Sequence, residues 1–292
     1  MEKQMQMQTQ TQTQTQTQTQ TPKAARKKKE WPQLAWGLDV GGSDVDIDAG
    51  VDGSGAGIRR LEAGVDEAGR GSLAGPVFAA AVVWPSSAED EARLRADPRM
   101  ALVRDSKTLS AAQRGKARAF IEAEALAWGV GTADAAEIDR DNILRATMRA
   151  MRRALDDMHV RLREKAEAAE GGGATTSAPA GRHPRTVDAV LIDGERFEGY
   201  LSPEPPHEFL PYSCVIDGDA RFLSVAAASV LAKTHHDEHV IRDMHPRFPA
   251  YGWDRNKCYG SADHIATLRR IGACEEHRTK FVSKFVTTFS NS

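Results

Sequence analysis

Long apolar runs are missing from this 292-residue chain. No stretch reaches the roughly 18 apolar residues that a membrane span needs. The N-terminus also lacks the continuous apolar region of a secretory signal and the Arg-rich amphipathic pattern of a transit peptide. No membrane partner is therefore expected, and the cytoplasm is the favoured compartment. Cysteine is scarce: Cys214, Cys258 and Cys274 are odd in number and form no CxxC pair. That argues against a disulfide scaffold or a zinc ribbon and fits reduced thiols. An excess of one charge is absent too, the formal net charge being −2. The molecule as a whole does not advertise a polyanion partner, although His239 to Ser292 carries nine Lys/Arg against five Asp/Glu.

What is present divides unevenly along the chain. Met1 to about Glu30 is a Gln/Thr repeat closed by Lys23, Arg26, Lys27, Lys28 and Lys29. Such polar low-complexity sequence buries too little apolar surface to offset the entropy of ordering, so disorder is expected. Trp31 to Gly57 is rich in Gly and Asp and reads as a tether. Asp44, Asp46, Asp48 and Asp52 have the spacing of a calcium loop's first ligands. Ala49 stands where that loop needs its turn glycine, and Gly55 where it needs a closing Glu, so they are read as solvated linker. A tail and linker over residues 1–57 and one catalytic-sized domain over 58–292 follow.

Within the domain, Leu61–Val65 and Val77–Trp84 read as strands joined by a Gly-rich turn. Asp97-Pro98 marks a loop, and Ser110 is a candidate N-cap for a helix over Ala111–Ala127. Trp128–Thr132 suits a short strand, and Ile143, Met148, Met151, Leu155 and Met158 have helical spacing within Ile138 to about Ala169. Gly171–Arg185 reads as an inserted flexible loop. Val187–Ile192 is a buried-strand candidate, Glu198–Pro211 is Pro-rich and irregular, and Val215-Ile216 is a brief extended piece. A helix is expected from about Ser224 to Met244, stopped by Pro246, and another at the start of His264–Phe285. Interleaved strands and helices predict an α/β layer fold.

The richest stretch runs from Val65 through Asp66-Glu67-Ala68-Gly69-Arg70-Gly71 to Val77. Two adjacent carboxylates repel unless cations lie near, and an arginine between glycines is a donor on backbone that a ligand can approach closely. Hard divalent metal on one side and a phosphate or sugar oxygen on the other accounts for both; a solvated turn is the plainer alternative. Adjacent strand residues point to opposite faces, so Asp66 and Glu67 can share a metal pair only if the strand bends or bulges, for which Gly64, Gly69 and Gly71 give room. Asp193 ends the apolar run Val190-Leu191-Ile192, where α/β sheets place ligands, or is a simple turn residue before Gly194. Asp219 precedes an Ala-rich helix and is open to a capping role. Four such acids are tolerable together if two Mg²⁺ or Mn²⁺ ions and a phosphate bridge them. A second constellation, Tyr251 to His264, interleaves aromatics with Arg255 and Lys257, a pattern that stacks on bases or sugars and pairs with phosphates. Core packing is the alternative for Tyr251 and Trp253 more than for Tyr259.

Taken in order from about Leu61 to Phe281, these motifs resemble the type 2 ribonuclease H family in its bacterial form, ribonuclease HII. The carriers are Val65–Val77, Asp105-Ser106-Lys107-Thr108-Leu109-Ser110, Glu137-Ile138-Asp139 with Asn142-Ile143-Leu144, Leu191-Ile192-Asp193-Gly194, Gly218-Asp219, Ser224–Lys233, Asn256–His264 and His277-Arg278. The resemblance implies a ribonuclease H-like fold, a mixed central sheet flanked by helices, with a C-terminal helical extension. It implies two-metal hydrolysis, with Mn²⁺ or Mg²⁺, of RNA in RNA/DNA hybrids and of single ribonucleotides embedded in duplex DNA. The cut would fall 5′ to the ribonucleotide and leave 3′-hydroxyl and 5′-phosphate ends. Asp66, Glu67, Asp193 and Asp219 match the family's metal-binding carboxylates, and Gly69, Arg70 and Gly71 its loop that senses the ribose 2′-hydroxyl. Tyr259 matches the tyrosine that stacks at the ribonucleotide–DNA junction, and Lys107 lies in a motif beside the substrate phosphates. No obligate protein partner is implied, and a monomer is expected.

Several positions depart from the family pattern. Asp217 stands where lysine is usual, Cys258 where glycine, Ser261 where threonine, His236 where arginine and Lys280 where serine. None removes a metal ligand, so activity is expected. A hybrid-binding protein with impaired turnover, through Asp217 and Cys258, is the alternative from another class. A metal-dependent DNA nuclease would leave the Gly-Arg-Gly loop without a use.

Overall fold

The computed structural model describes residues 34–37, 60–171 and 185–286. The Gln/Thr tract, the aspartates of the Gly/Asp-rich stretch and nearly all of the expected Gly171–Arg185 insertion lie outside the described residues.

The first two strands, β1 (Glu62–Ala68) and β2 (Val77–Val83), form the expected antiparallel hairpin. Helix α1 (Ala88–Ala96) follows, and Asp97-Pro98 opens a 3₁₀ turn rather than a plain loop, with the Asp97 side chain capping Arg99 N–H. Ser110 caps α2 (Ala111–Glu124) in a full capping box with Gln113. The helix stops three residues short of expectation because Ala127 is already paired with Val83 in β3 (Ala127–Ala133).

The single helix expected from Ile138 is two helices, α3 (Ala135–Asp141) and α4 (Ile143–Gly171). Asp134 and Glu137 form a capping box that starts α3 early. Asn142, at a φ of 79°, ends it, and its side-chain oxygen accepts the Arg145 N–H at the start of α4. Asn tolerates positive φ better than most residues, so the break is locally encoded; helical periodicity alone passes over it.

Beyond the insertion come β4 (Ala189–Asp193), β5 (Tyr212–Val215) and the long α5 (Leu223–His239), which continues as a π turn over Val240–Met244. The C-terminal segment carries α6 (Trp253–Asn256), α7 (Ala262–Ile271) and α8 (Thr279–Val282). The five strands lie in the order β3-β2-β1-β4-β5. β2 is antiparallel to both its neighbours, β1 and β3, whereas β4 and β5 run parallel to β1. This is the mixed sheet flanked by helices that the family resemblance implied, within the α/β layer fold read from the residues.

Two apolar layers sandwich the sheet. Val65, Ala79 and Ile192 face α4 through Met151, Leu155 and Met158. Ala80 and Val82 face α2 and α5 through Phe120, Ala227 and Leu231. At Gly64 a side chain would meet the α5 backbone at 2.2 Å, so only glycine lets that helix lie so close to β1. A third cluster, around Tyr251, Trp253, Cys258 and Leu268, holds the C-terminal segment to Leu73 and Ala74. Trp253 is fully buried and Tyr251 nearly so, which makes both core residues.

Four residues of the segment read as a tether pack on this domain. Ala35 bridges Phe222 and accepts the Leu223 N–H at 2.9 Å. Helix α5 has no side-chain N-cap, so the Ala35 carbonyl satisfies one of its otherwise open amides. Trp36 lies against Trp84 and donates to the Pro85 carbonyl. The domain thus draws on residues ahead of the expected boundary at 57/58.

Candidate active site

The register of the three parallel strands decides where the acids meet. Val65 lies opposite Ile192, so Asp66 and Asp193 are the next residues of neighbouring strands, and Asp193 lies opposite Val215. All three strands end at the same edge, the position where α/β sheets hold ligands. The Gly218–Ala220 turn follows β5 and carries Asp219 into the same region.

Around this edge the charges are crowded. Asp66 and Asp219 are buried. Burial, then the Glu67 and Asp193 charges, raise the Asp66 carboxyl well above its usual range. Burial raises Glu67, with Arg70 opposing and Asp193 adding to the rise. Burial raises Asp193, opposed by the Gly218 N–H. Asp219 is pushed up to about 6 by burial, then by Asp105 and Asp193. Asp193 is therefore the carboxylate common to the set: its field reaches the other three.

The strand does not bulge at Asp66-Glu67. Its ladder with β2 continues unbroken through Asp66–Ala80, Glu67–Ala79 and Ala68–Phe78. The two side chains accordingly leave opposite faces, and any shared ion must sit past the strand's end. Asp66 shares the face of α5, where the Ser229 hydroxyl bonds to it and Ser106 Oγ lies 3.0 Å from Ser229 Oγ. Glu67 lies on the α4 side, bonded to Arg70 Nη1 at 3.2 Å. Among the described residues no three His, Cys, Asp or Glu side chains are closed together as an ion-holding group. The chemistry of the set nonetheless suits a hard cation: anionic oxygen donors held at raised pKa by burial and by one another.

Cations near the acids are few. Lys107 Nζ lies 3.8 Å from Asp219 Oδ2 yet is 82% exposed. Partial burial lowers the Lys107 pKa, but Asp219, Asp105, Asp66 and Asp193 together lift it above its ordinary value. A cavity of about 400 Å³ adjoins them, lined by Glu67, Arg70, Asp193 and Arg196 against an apolar side of Met148 and Met151. Asp217, in the left-handed region at φ 54°, adds its charge to Asp193 and Asp219.

The Gly-Arg-Gly turn lies beside this edge. Gly69 has φ +80°, and a Cβ there would come within 2.4 Å of the His236 ring, so both backbone and space demand glycine. Gly71 differs, since a Cβ would meet nothing within 4 Å. Tyr259 is held next to this turn by a bridge to Ser72, with its ring 5.9 Å from that of His236 and 4.8 Å from Lys233 Nζ. Cys258 takes a positive φ, 65°, that glycine would adopt more easily.

Asp66, Glu67, Asp193 and Asp219 therefore lie at one end of the sheet, with Gly69, Arg70, Gly71, Lys107 and Tyr259 on the turns beside it. Sequence reading passed over Ser229, Asp105 and Arg278 as individual members. Ser229 and Arg278 are polar side chains that are buried, and burial of that kind cannot be read from a linear chain; each nevertheless fell inside or next to a motif already marked.

The ribonuclease HII family model matches residues 63–167 and 181–287. A ribonuclease HII of Porphyromonas gingivalis is 41% identical over 220 residues, covering 75% of this chain and 88% of that protein. A ribonuclease HII of Bacteroides thetaiotaomicron is 41% identical over 221 residues, covering 76% and 89%. Among solved structures, ribonuclease H2 from Pyrococcus horikoshii is 20% identical, covering 78% of this chain and 99% of that one, with a TM-score of 0.49.

Proposed function

This chain belongs to the ribonuclease HII family and is a ribonuclease H hydrolase, and from that premise we propose that it cuts RNA in RNA/DNA hybrids and incises 5′ to single ribonucleotides in duplex DNA. The observation that carries the reading is the strand register that sets Asp66 level with Asp193 at one sheet edge, with the Asp219 turn bonded to Asp193 and a glycine-flanked arginine beside them.

Asp66, Glu67, Asp193 and Asp219 would hold two divalent ions, Mn²⁺ or Mg²⁺. When bound there, such ions supply a lowered pKa for an attacking water and charge stabilisation for the leaving oxygen, giving 3′-hydroxyl and 5′-phosphate ends. The chain's own groups do the recognition. The 2′-hydroxyl is the group that separates RNA from DNA, and the Gly69–Arg70–Gly71 turn is the element that reads it. Lys107, exposed and lifted in pKa by the acids, is a fully charged donor for a phosphate oxygen. Tyr259 offers a half-buried ring for stacking at the junction between ribonucleotide and DNA. In this reading the enzyme works as a monomer in the cytoplasm without an obligate protein partner. No described helix is long and apolar enough to cross a membrane.

The test is cleavage of a duplex carrying one ribonucleotide, with Mn²⁺ or Mg²⁺, beside the same duplex all in deoxyribose. Scission of the first alone, 5′ to the ribonucleotide, is expected. Binding without scission would point to the hybrid-binding alternative, and equal cutting of both duplexes to a DNA nuclease.

A further inference from the structure

Arg278 is fully buried and hydrogen-bonded to no carboxylate, the Asp139 charge acting on it without a direct bond. A buried charge with no directly bonded counter-ion is costly, and an apolar side chain would fill the same space without that penalty. The guanidinium is instead spent on backbone carbonyls: Nη2 donates to Gly69 O at 2.8 Å, Nη1 to Arg70 O at 2.9 Å and Nε to Gly75 O at 2.9 Å. These oxygens belong to both ends of the turn that contains Arg70. Arg278 is itself fixed, since its N–H donates to Leu73 O, and the neighbouring His277 bridges Ala74. The same short segment holds the tyrosine loop, through Leu73 N–H to Cys258 O and the Ser72–Tyr259 bridge.

Peptide planarity turns this cage into a statement about donors. A trans peptide directs its C=O and N–H oppositely. With the Gly69 and Arg70 carbonyls drawn onto the guanidinium, the Arg70 and Gly71 N–H groups, on those same two planes, are directed away from it. Neither N–H has a partner among the described residues. The space over Gly71 is open, as the absence of any atom within 4 Å of a Cβ there requires. We propose that Arg278 is a positioning residue that presents the Arg70 and Gly71 amides outward as the donors that read the ribose, an inference resting on the ribose-sensing role of this turn. A planar fork with several donors at fixed angles can clamp three carbonyls at once; a lysine ammonium cannot reproduce that spread.

The experiment compares the full-length protein with Arg278→Lys by amide hydrogen exchange and by steady-state cleavage of the single-ribonucleotide duplex. Exchange at the Ser72 and Leu73 amides, which donate to Gly69 O and Cys258 O, should rise in the variant while the sheet remains protected. The kcat should fall about tenfold to a hundredfold, as displaced positioning groups do, with KM within about threefold. Wild-type exchange at that turn together with wild-type kcat would overturn the proposal, and so would a KM defect with kcat unchanged. Should Arg278→Lys not fold, NMR of the wild-type arginine guanidinium protons decides: slowly exchanging Arg278 signals coupled to the Gly69 and Arg70 carbonyls are expected, and rapid solvent exchange would overturn it. If wild-type protein leaves the single-ribonucleotide duplex intact, the proposed function fails, while the exchange comparison still judges Arg278.

Discussion

One Asp193 carboxylate oxygen accepts the Gly218 N–H at 2.7 Å, tying the end of β4 to the turn that carries Asp219. This bond fixes the acid that acts electrically on the other three, and it spans 25 residues of sequence.

Asp193→Asn should retain that bond, because an amide oxygen still accepts an N–H. The variant is expected to fold and bind hybrid while its cleavage rate drops below about a hundredth of wild type, beyond the 10–100-fold typical of outer partners of a metal ligand. Asp66→Asn should behave alike. Gel-shift and cleavage assays on one substrate check both; turnover retained in both would remove the metal assignment.

The acids also predict a pH dependence of stability. Asp219 has a folded pKa raised from 3.8 to about 6. Its protonated form is favoured by folding, so the stabilisation is complete below about 3.8 and is lost as pH climbs through about 6. At 1.36 kcal/mol per pKa unit the effect is on the order of 2–3 kcal/mol. Between pH 5 and pH 7 metal-free Asp219→Asn should therefore lose about 1 kcal/mol less stability, or gain that much more, than wild type, the buried histidines such as His277, lowered to about 3, being common to both proteins. Mn²⁺ should stabilise wild type, more strongly at the higher pH. Thermal melts of both proteins in chelator and of wild type in Mn²⁺ check this, and parallel metal-free profiles for the two proteins would contradict it.

The two glycines flanking Arg70 should respond oppositely. Gly69→Ala forces a side chain to positive φ against His236, and a loss of about 1–3 kcal/mol is expected. Gly71→Ala should change stability by no more than about 0.5 kcal/mol, because its Cβ meets open space. It should nevertheless weaken cleavage by blocking close approach of substrate. Denaturant titration beside kinetics separates the two.

Tyr259→Ala should cost about 1–3 kcal/mol of substrate interaction, the range for one stacked base. Tyr259→Phe keeps the ring face and should retain most activity. Similar loss in both variants would assign the role to the hydroxyl rather than to stacking.

Truncation should divide at Leu34. Removing residues 1–33 should leave stability and specific activity unchanged. Removing residues 1–57 also takes away the Ala35 carbonyl that caps α5 and the Trp36 contact with Trp84, and should lower stability by about 1–3 kcal/mol. Melting of the two truncated proteins checks the difference.

The linear chain by itself marked β1 to β4, the starts of α2, α5 and α7 and the candidate acids, while passing over α1 and most of β5. Alternation, capping residues such as Ser110 and the carboxylate after Val190-Leu191-Ile192 are local signals that need no partner to be read. The division of the long helix at Asn142 was equally local and is legible once a positive-φ residue between two caps is looked for. What only the tertiary structure decided was register and burial. Pairing of Val65 with Ile192 brings Asp66 level with Asp193, and a shift of one residue would have sent the two to opposite faces. The unbroken ladder put Glu67 on the far face from Asp66, where local sequence had left room for a bulge. Arg278, 208 residues from Arg70, became part of the turn because folding removed water from its guanidinium and left only carbonyls to bond, a consequence of long-range packing that no local pattern encodes.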